Sequence, residues 1–386
     1  MKAAYTFSWR SQNSFQLLID SQNFYPHMLA AINNAQHFIL LEQYLVRSGQ
    51  VLDSFIQALS KAAQNGIEIY ILLDDYGTQM INTSDLERLK QKNVNFLSYN
   101  PFEWRKLYSS LRRNHRKLLL IDNHTAFVGG AGLSDEYLPA KTRYNETLNW
   151  HDIMLEIQGP VVFDWYQSFA QIWQTCSTIT LPKPIEKNWS RDFTQAGRVL
   201  LARGPGRNSI IKSALRNINR SKERVWIATP YFLTTRKLRH ALSYAAKRGV
   251  DVSLLLPGPI SDHPWISHAA RRYYRRLLHN GVKIYEYQPR FIHAKIILAD
   301  DWISIGSSNL DRWNQFWNLD ANQAVRDKHL AEQTHHLFEA DFKQSELITY
   351  SNWKHRPWSQ RFSEWWASYI VRIIQSLVYL ASRIRK

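Results

Sequence analysis

Apolar positions along this chain follow two alternating rhythms. ALSKAAQNG (58–66) carries apolar residues at helical spacing and stops at a glycine, and IEIYILLD (67–74) follows as a short apolar run that suits a buried strand. The same reading predicts strands over 37–46, 67–74, 94–100, 116–122 and 125–130, with helices between them. The series then starts again, with strands expected over 224–232, 250–257, 282–288, 293–300 and 302–307. Strands that alternate with helices place the chain in the α/β class, with mixed sheets sandwiched between helical layers.

The two series also match residue by residue. ALSKAAQNGIEIYILL from Ala58 returns as ALSYAAKRGVDVSLLL from Ala241, an offset of 183 residues. NHRKLLLID (114–122) returns as IHAKIILAD (292–300), an offset of 178. Two features in one order at nearly one offset point to a duplicated domain. The expected division is a first unit over 1–179, a linker over 180–195 containing Pro182 and Pro184, a second unit over 196–346, and a distinct tail over 347–386.

Composition narrows the function classes. An aromatic content of 13% over 386 residues supplies ample apolar surface for a core and excludes a disordered chain. A single cysteine, Cys176, excludes a disulfide scaffold and a cysteine-based zinc site. No stretch reaches the roughly 20 apolar residues that cross a bilayer, and MKAAYTFSWR opens without a signal-peptide core. The expectation is a cytoplasmic protein that meets any membrane from its surface. With 49 Lys+Arg against 32 Asp+Glu, the formal charge of +17 calls for a polyanionic partner, nucleic acid or an acidic membrane.

The repeated motif carries the chemistry. His115 and Lys117, then His293 and Lys295, have strand spacing that projects each pair to one side. Asp122 and Asp300 complete the pattern His-x-Lys-x4-Asp, but an odd spacing turns them the other way, toward a structural role at the strand end. Glycine-rich GGAG (129–132) and GSSN (306–309) follow. Carboxylates to orient the imidazoles must come from elsewhere: Asp152 lies 37 residues past His115, and Asp320 lies 27 past His293. Histidine with lysine, without a serine or cysteine nucleophile, suits phosphoryl-type transfer. One imidazole attacks phosphorus, the other moves the proton, and the lysines balance the charge on the non-bridging oxygens. Neither a metal nor a cofactor is expected.

With both motifs and GSSN in view, the chain resembles the phospholipase D superfamily. FSWRSQNSFQLL, LLDDYG (72–77), GSSNLD (306–311) and NLDAN (318–322) resemble bacterial cardiolipin synthases of the type without N-terminal transmembrane helices. The resemblance implies two α/β/α units about a pseudo-twofold axis, with the active site at their interface. It implies His115, Lys117, Asp122, His293, Lys295 and Asp300 as catalytic motif residues, with Asp152, Asp320, Ser307 and Asn309 in support. It further implies transfer of a phosphatidyl group between two phosphatidylglycerol molecules, with His115 as nucleophile. Gly130 and Gly132 stand where the second motif has Ser307 and Asn309, which leaves room for phosphate beside His115 and polar groups beside His293. Hydrolysis of phospholipid or nucleic acid is the alternative reading, and an idle anion-binding module a third.

Lipid is favoured over nucleic acid by the tail. Ile370, Ile373, Ile374, Leu377, Val378, Ala381 and Ile384 form a helical apolar stripe, preceded by Trp365 and Trp366 and flanked by Arg372, Arg383 and Arg385. This reads as an interfacial amphipathic helix, with a helix docked on the core as its alternative. The expected partners are phosphatidylglycerol and an anionic membrane surface, at the cytoplasmic face of the bacterial inner membrane, with no nucleic acid. Oligomeric state is not legible. His124 and His151 have no counterpart in the other half and read as bystanders.

Overall fold

The structure, a computed structural model, describes residues 6–103, 109–139, 149–184, 189–204, 207–311 and 316–358, together with Trp366 and Tyr369. The first half contributes β1 (Arg10–Ile19), β2 (Phe38–Gln43), β3 (Glu68–Asp74), β4 (Val94–Tyr99), β5 (Arg113–Asn114), β6 (Leu118–Ile121), β7 (Thr125–Gly129) and β8 (Ile153–Gln158). The second contributes β9 (Gln195–Arg203), β10 (Arg224–Ala228), β11 (Asp251–Pro257), β12 (Lys283–Tyr287), β13 (Ile296–Ala299), β14 (Trp302–Gly306), β15 (Asn318–Arg326) and β16 (Ser345–Ile348). The strands join in the order β16-β12-β11-β10-β13-β14-β15-β9-β1-β8-β7-β6-β2-β3-β4, with β5 paired to β15.

That order is nearly a palindrome about the β9–β1 contact. The two edge strands pair antiparallel through Arg10 with Gly197 and Asn13 with Gln195, and fuse two mixed sheets into one. Within each half, three strands run parallel and the hairpin strands antiparallel.

Strand alternation divides the core by face. Phe38 and Leu40 of β2 face a cluster built with Trp165, Phe169 and Trp173 of the helix Val161–Cys176. Leu330, Leu337 and Phe338 of the helix Lys328–Lys343 belong to the same cluster, so one helical layer spans both halves. Ile39 and Leu41 face the opposite side, with Phe24, Met28, Phe55 and Leu59 of the helices Ser21–Asn33 and Gln50–Gln64. The second half repeats this outer layer with Ile210, Ala214, Leu238 and Leu242.

Two expectations need correction. The segments holding the motif histidines are not ladder strands: β6 begins at Leu118 and β13 at Ile296, and residues 115–117 and 293–295 lie just before them. Second, β1 and β9, which weld the halves, were not among the predicted strands. RSQNSFQLLI is polar over its first half, since its outer end faces the β9 junction rather than a core. No helix among the described residues is long and apolar enough to cross a membrane. The amphipathic tail falls almost wholly outside the described residues.

Candidate active site

Each motif histidine is delivered by a segment that crosses to the other half. Arg113 and Asn114 pair in parallel with Asn318 and Leu319 of β15, and the His115 N–H donates to the Leu319 carbonyl at 3.0 Å. In mirror fashion Ile292 bridges His151, and the His293 N–H donates to the His151 carbonyl at 2.8 Å. The residue after each pairing site is the carboxylate. So Asp320 lies beside His115, and Asp152 beside His293.

The orienting pairs are therefore crossed between halves, not formed within each. His115 Nδ1 stands 3.0 Å from Asp320 Oδ1, and His293 Nδ1 stands 2.6 Å from Asp152 Oδ2. Nδ1–H donation to carboxylate leaves Nε2 of each neutral ring with its lone pair free. Burial and the Lys117 ammonium push His115 down to about 4, against the opposing pull of Asp320. Burial and Lys295 do the same to His293, also to about 4.

The lysines converge with them. Lys117 Nζ donates to the His115 carbonyl at 2.8 Å and stands 5.2 Å from the Tyr44 ring centre. Lys295 Nζ donates to the His293 carbonyl and lies 4.0 Å from Asp152 Oδ2. Burial, then repulsion from Lys295, lowers Lys117 to about 7; burial lowers Lys295 to about 8. That the two ammonium groups feel each other brings both motifs into one site. Two buried lysines, with Asp152 and Asp320 near by, form a receptor for a phosphodiester.

The crossing also relocates the glycine-rich stretches. Ser307 Oγ donates to Asp320 Oδ1 at 2.8 Å, so GSSN belongs to the His115 side. Asn309 is buried there, and its Oδ1 has no hydrogen-bond partner among the described residues. Gly130 belongs to the His293 side, where a Cβ would stand 2.3 Å from Asp152 Oδ1. Glycine at 130 makes room for the orienting carboxylate, not for phosphate beside His115, and the earlier placement is reversed. At Gly132 a Cβ would meet the Leu45 carbonyl at 2.3 Å, so no asparagine fits.

Asp122 and Asp300 stand apart from this chemistry, and their grouping with the catalytic residues is corrected. Asp122 accepts from the backbone N–H groups of Gln36, His37 and Phe38 at 2.7–2.8 Å. Asp300 accepts from Lys222, Glu223 and Arg224 at 2.9–3.1 Å. Both have a φ of 53°, in the left-handed region that a short polar side chain tolerates, and they turn the β6–β7 and β13–β14 hairpins. Each carboxylate anchors the start of a neighbouring strand. The motif aspartate shapes the strand that carries the site without touching it.

Several residues of the site were not foreseen. Tyr44 packs edge-on to His115 at 4.8 Å between ring centres, and Trp150 lies 4.9 Å from His293. The Tyr137 hydroxyl is 3.3 Å from His293 Nδ1. Glu42 is fully buried on an interior strand, ion-paired to Arg116 Nη2 at 2.8 Å and accepting from Asn114 Nδ2 at 2.6 Å. Asp74 accepts from the Asn114 N–H at 2.7 Å, and burial raises it to about 6. A lone glutamate in an apolar strand was the available signal, and Arg116 inside the motif was its partner.

His151 is no bystander. Its Nδ1 lies 2.7 Å from Asp20 Oδ1 and its Nε2 3.2 Å from Asp341 Oδ2. Burial alone would lower it, but the bonds to Asp20 and Asp341 outweigh that and raise it to about 9. Arg290, which leads into the His293 segment, also donates to Asp20. His124, by contrast, stacks on Trp189 at 5.3 Å, with its Nδ1 3.0 Å from Thr125 Oγ1.

Two fused α/β halves, each delivering a buried His and Lys to a shared site, define a two-domain protein of the phospholipase D class. The crystal structure of phosphatidylserine synthase from Haemophilus influenzae has this fold, with a TM-score of 0.73, 13% identity, and coverage of 96% of this chain and 94% of that one. A family model described as cardiolipin synthase, PLD-like domain, matches residues 28–173 and 214–342. Among its relatives, cardiolipin synthase from Clostridium perfringens is 30% identical over 383 residues, covering 96% of this chain and 78% of the relative. Cardiolipin synthase B from Salmonella typhi is 34% identical over 338 residues, covering 83% and 78%. The minor cardiolipin synthase of Bacillus subtilis is 29% identical over 363 residues, covering 92% and 88%. The chain belongs to the cardiolipin synthase family of phospholipase D-like proteins.

Proposed function

We propose that this protein makes cardiolipin by moving a phosphatidyl group from one phosphatidylglycerol to the glycerol hydroxyl of another, through a phosphohistidine. The observation that carries the reading is the crossed pair of neutral, carboxylate-oriented imidazoles beside two buried lysines. Nε2 of His115 attacks phosphorus while the bond to the glycerol oxygen breaks, and His293 delivers a proton to that oxygen. Free glycerol leaves. The hydroxyl of a second phosphatidylglycerol then gives its proton to His293, its oxygen attacks phosphorus, and the bond to His115 breaks.

Lys117 and Lys295 face the non-bridging oxygens, and the phosphodiester charge offsets the burial that depresses both ammonium groups. The same anion raises His293, so the ring can hold its proton once substrate is bound. His115 is favoured as nucleophile because Ser307 donates to Asp320, the carboxylate that orients the His115 ring for attack. These side chains supply attack, proton transfer and charge balance without a metal.

In this reading the protein works at the cytoplasmic surface of the bacterial cell membrane, and the apolar and basic sequence of 364–386 suits the interface. The formal charge of +17 supports attraction to anionic lipid. The units over 1–179 and 196–346 form the two sides of the site in this account. The test is incubation with phosphatidylglycerol liposomes in EDTA, followed by lipid mass spectrometry. Cardiolipin and glycerol are expected. Phosphatidic acid as the only product supports hydrolysis instead, and unchanged lipid overturns the reading.

A further inference from the structure

The helix Lys328–Lys343 carries a cluster that the transfer reaction does not use. Its sequence runs Glu332-Gln-Thr-His335-His336-Leu-Phe-Glu339, which puts two imidazoles and two carboxylates at spacings of three, four and seven residues on adjoining turns. His335 Nδ1 lies 3.6 Å from Glu332 Oε1, and His336 Nε2 lies 3.6 Å from the same oxygen. One ligand atom from each of these three residues falls within 4.8 Å of the others.

These separations decide between two kinds of contact. At 3.6 Å neither imidazole is hydrogen-bonded to the carboxylate. Two ligand atoms on one tetrahedral zinc, with bonds of about 2.0–2.1 Å, stand roughly 3.3 Å apart. The observed spacing is therefore close to what a shared cation requires and too long for direct bonding. His335 supplies an independent observation. Its ring stacks on Trp226 at 4.7 Å with planes 22° apart, which fixes its orientation, and its buried Nδ1 has no hydrogen-bond partner among the described residues. A ring held by an indole, with an unpartnered nitrogen 3.6 Å from a carboxylate oxygen, is partly pre-organised for a metal.

We propose that Glu332, His335 and His336 form a site for one borderline divalent cation of the zinc, nickel or cobalt type. Glu339 stands by as an alternative carboxylate, 3.4 Å from His336 Nδ1. Two imidazole nitrogens select such ions over magnesium and calcium, which take oxygen ligands. The exposure of Glu332 and His336 leaves the remaining coordination positions to water. The cation clips one turn of the helix whose far end places Asp341 on His151, so it acts on stability and takes no part in phosphatidyl transfer.

The test uses untagged full-length protein stripped with EDTA and titrated calorimetrically with zinc. His336→Ala and Glu332→Gln alter exposed side chains and are expected to fold normally. His329→Ala, on the same helix but outside the cluster, controls for casual surface binding. The expected result is one zinc per chain, unaffected by excess magnesium. Affinity should fall about tenfold or more in His336→Ala and Glu332→Gln, and stay unchanged in His329→Ala. Zinc should also raise the melting temperature of the wild type and not of His336→Ala. Equal affinity in wild type and His336→Ala, or no saturable binding at all, would overturn the site.

Discussion

The two halves share a backbone and differ in what supports their histidines. Behind His115 the supporting positions are charged or polar: Glu42, Asp74, Arg113, Asn114 and Arg116, all buried. The strand registers map these onto Ala228, Pro257, Phe291, Ile292 and Ala294 in the second half, every one apolar. His293 instead sits in a box of Tyr137, Trp150 and Phe291, and draws on a charged clamp one step away at His151, Asp20, Asp341 and Arg290. The polar cradle fixes the His115 segment by several directional bonds, in keeping with the in-line attack proposed for it. The aromatic box lowers the local dielectric around His293, in keeping with the proton-transfer role proposed for it. The two halves carry one motif in two different surroundings.

The largest expected effect comes from the histidines themselves. His115→Ala and His293→Ala should each lower phosphatidyl transfer by about four orders of magnitude or more, measured as cardiolipin formed from phosphatidylglycerol. EDTA should leave the wild-type rate intact.

Next come the cradle positions, which ask whether the polar set is interchangeable with the apolar one. Glu42→Ala leaves Arg116 as an uncompensated buried charge and should destabilise the protein by about 3–5 kcal/mol in denaturant unfolding. Glu42→Ala with Arg116→Ala copies Ala228 and Ala294. The double variant should recover a good part of that stability and still transfer slowly, because the His115 segment is no longer fixed. Full activity in the double variant would break the comparison.

The clamp behind His293 predicts a pH response. His151 is raised to about 9 in the folded protein against an ordinary value near 6.5, so its stabilising contribution is complete below about 6.5 and fades as pH rises through 9. Melting temperature should fall across that alkaline range by more in the wild type than in His151→Leu, which carries the residue found at the matching Leu319. Smaller still is the exchange at the glycine-rich turns. Ser307→Gly removes one hydrogen bond to Asp320 and should cost about 1 kcal/mol of transition-state binding. Gly130→Ser should do worse, because its Cβ meets Asp152 at 2.3 Å.

These differences also mark what the sequence could tell. The duplication, the α/β layers, both His-x-Lys pairs and the supporting carboxylates were all legible, because they rest on local periodicity and fixed spacing. Strand parity pointed to a structural role for Asp122 and Asp300, but residues 115–117 and 293–295 lie outside the ladder, so the role rests on the backbone bonds of the two carboxylates. The crossing of Asp152 and Asp320 was not. It depends on each His segment pairing with the other half, a long-range contact that no local pattern encodes. The weld of β1 to β9 escaped for the same reason, since a strand at a junction need not alternate apolar with polar. His151 was misjudged because its partners, Asp20 and Asp341, lie 131 and 190 residues away.

The crossed arrangement is tested most directly with a phosphatidyl p-nitrophenol ester, whose leaving group departs without a proton from His293. Formation of the phosphohistidine then depends on His115 and its carboxylate, while the later transfer to alcohol depends on His293 and its own. With His115 oriented by Asp320, Asp320→Asn should abolish the stoichiometric burst of nitrophenol, and Asp152→Asn should keep the burst but stall turnover. The burst lost in Asp152→Asn and kept in Asp320→Asn would contradict the combination of crossed carboxylates with His115 as nucleophile.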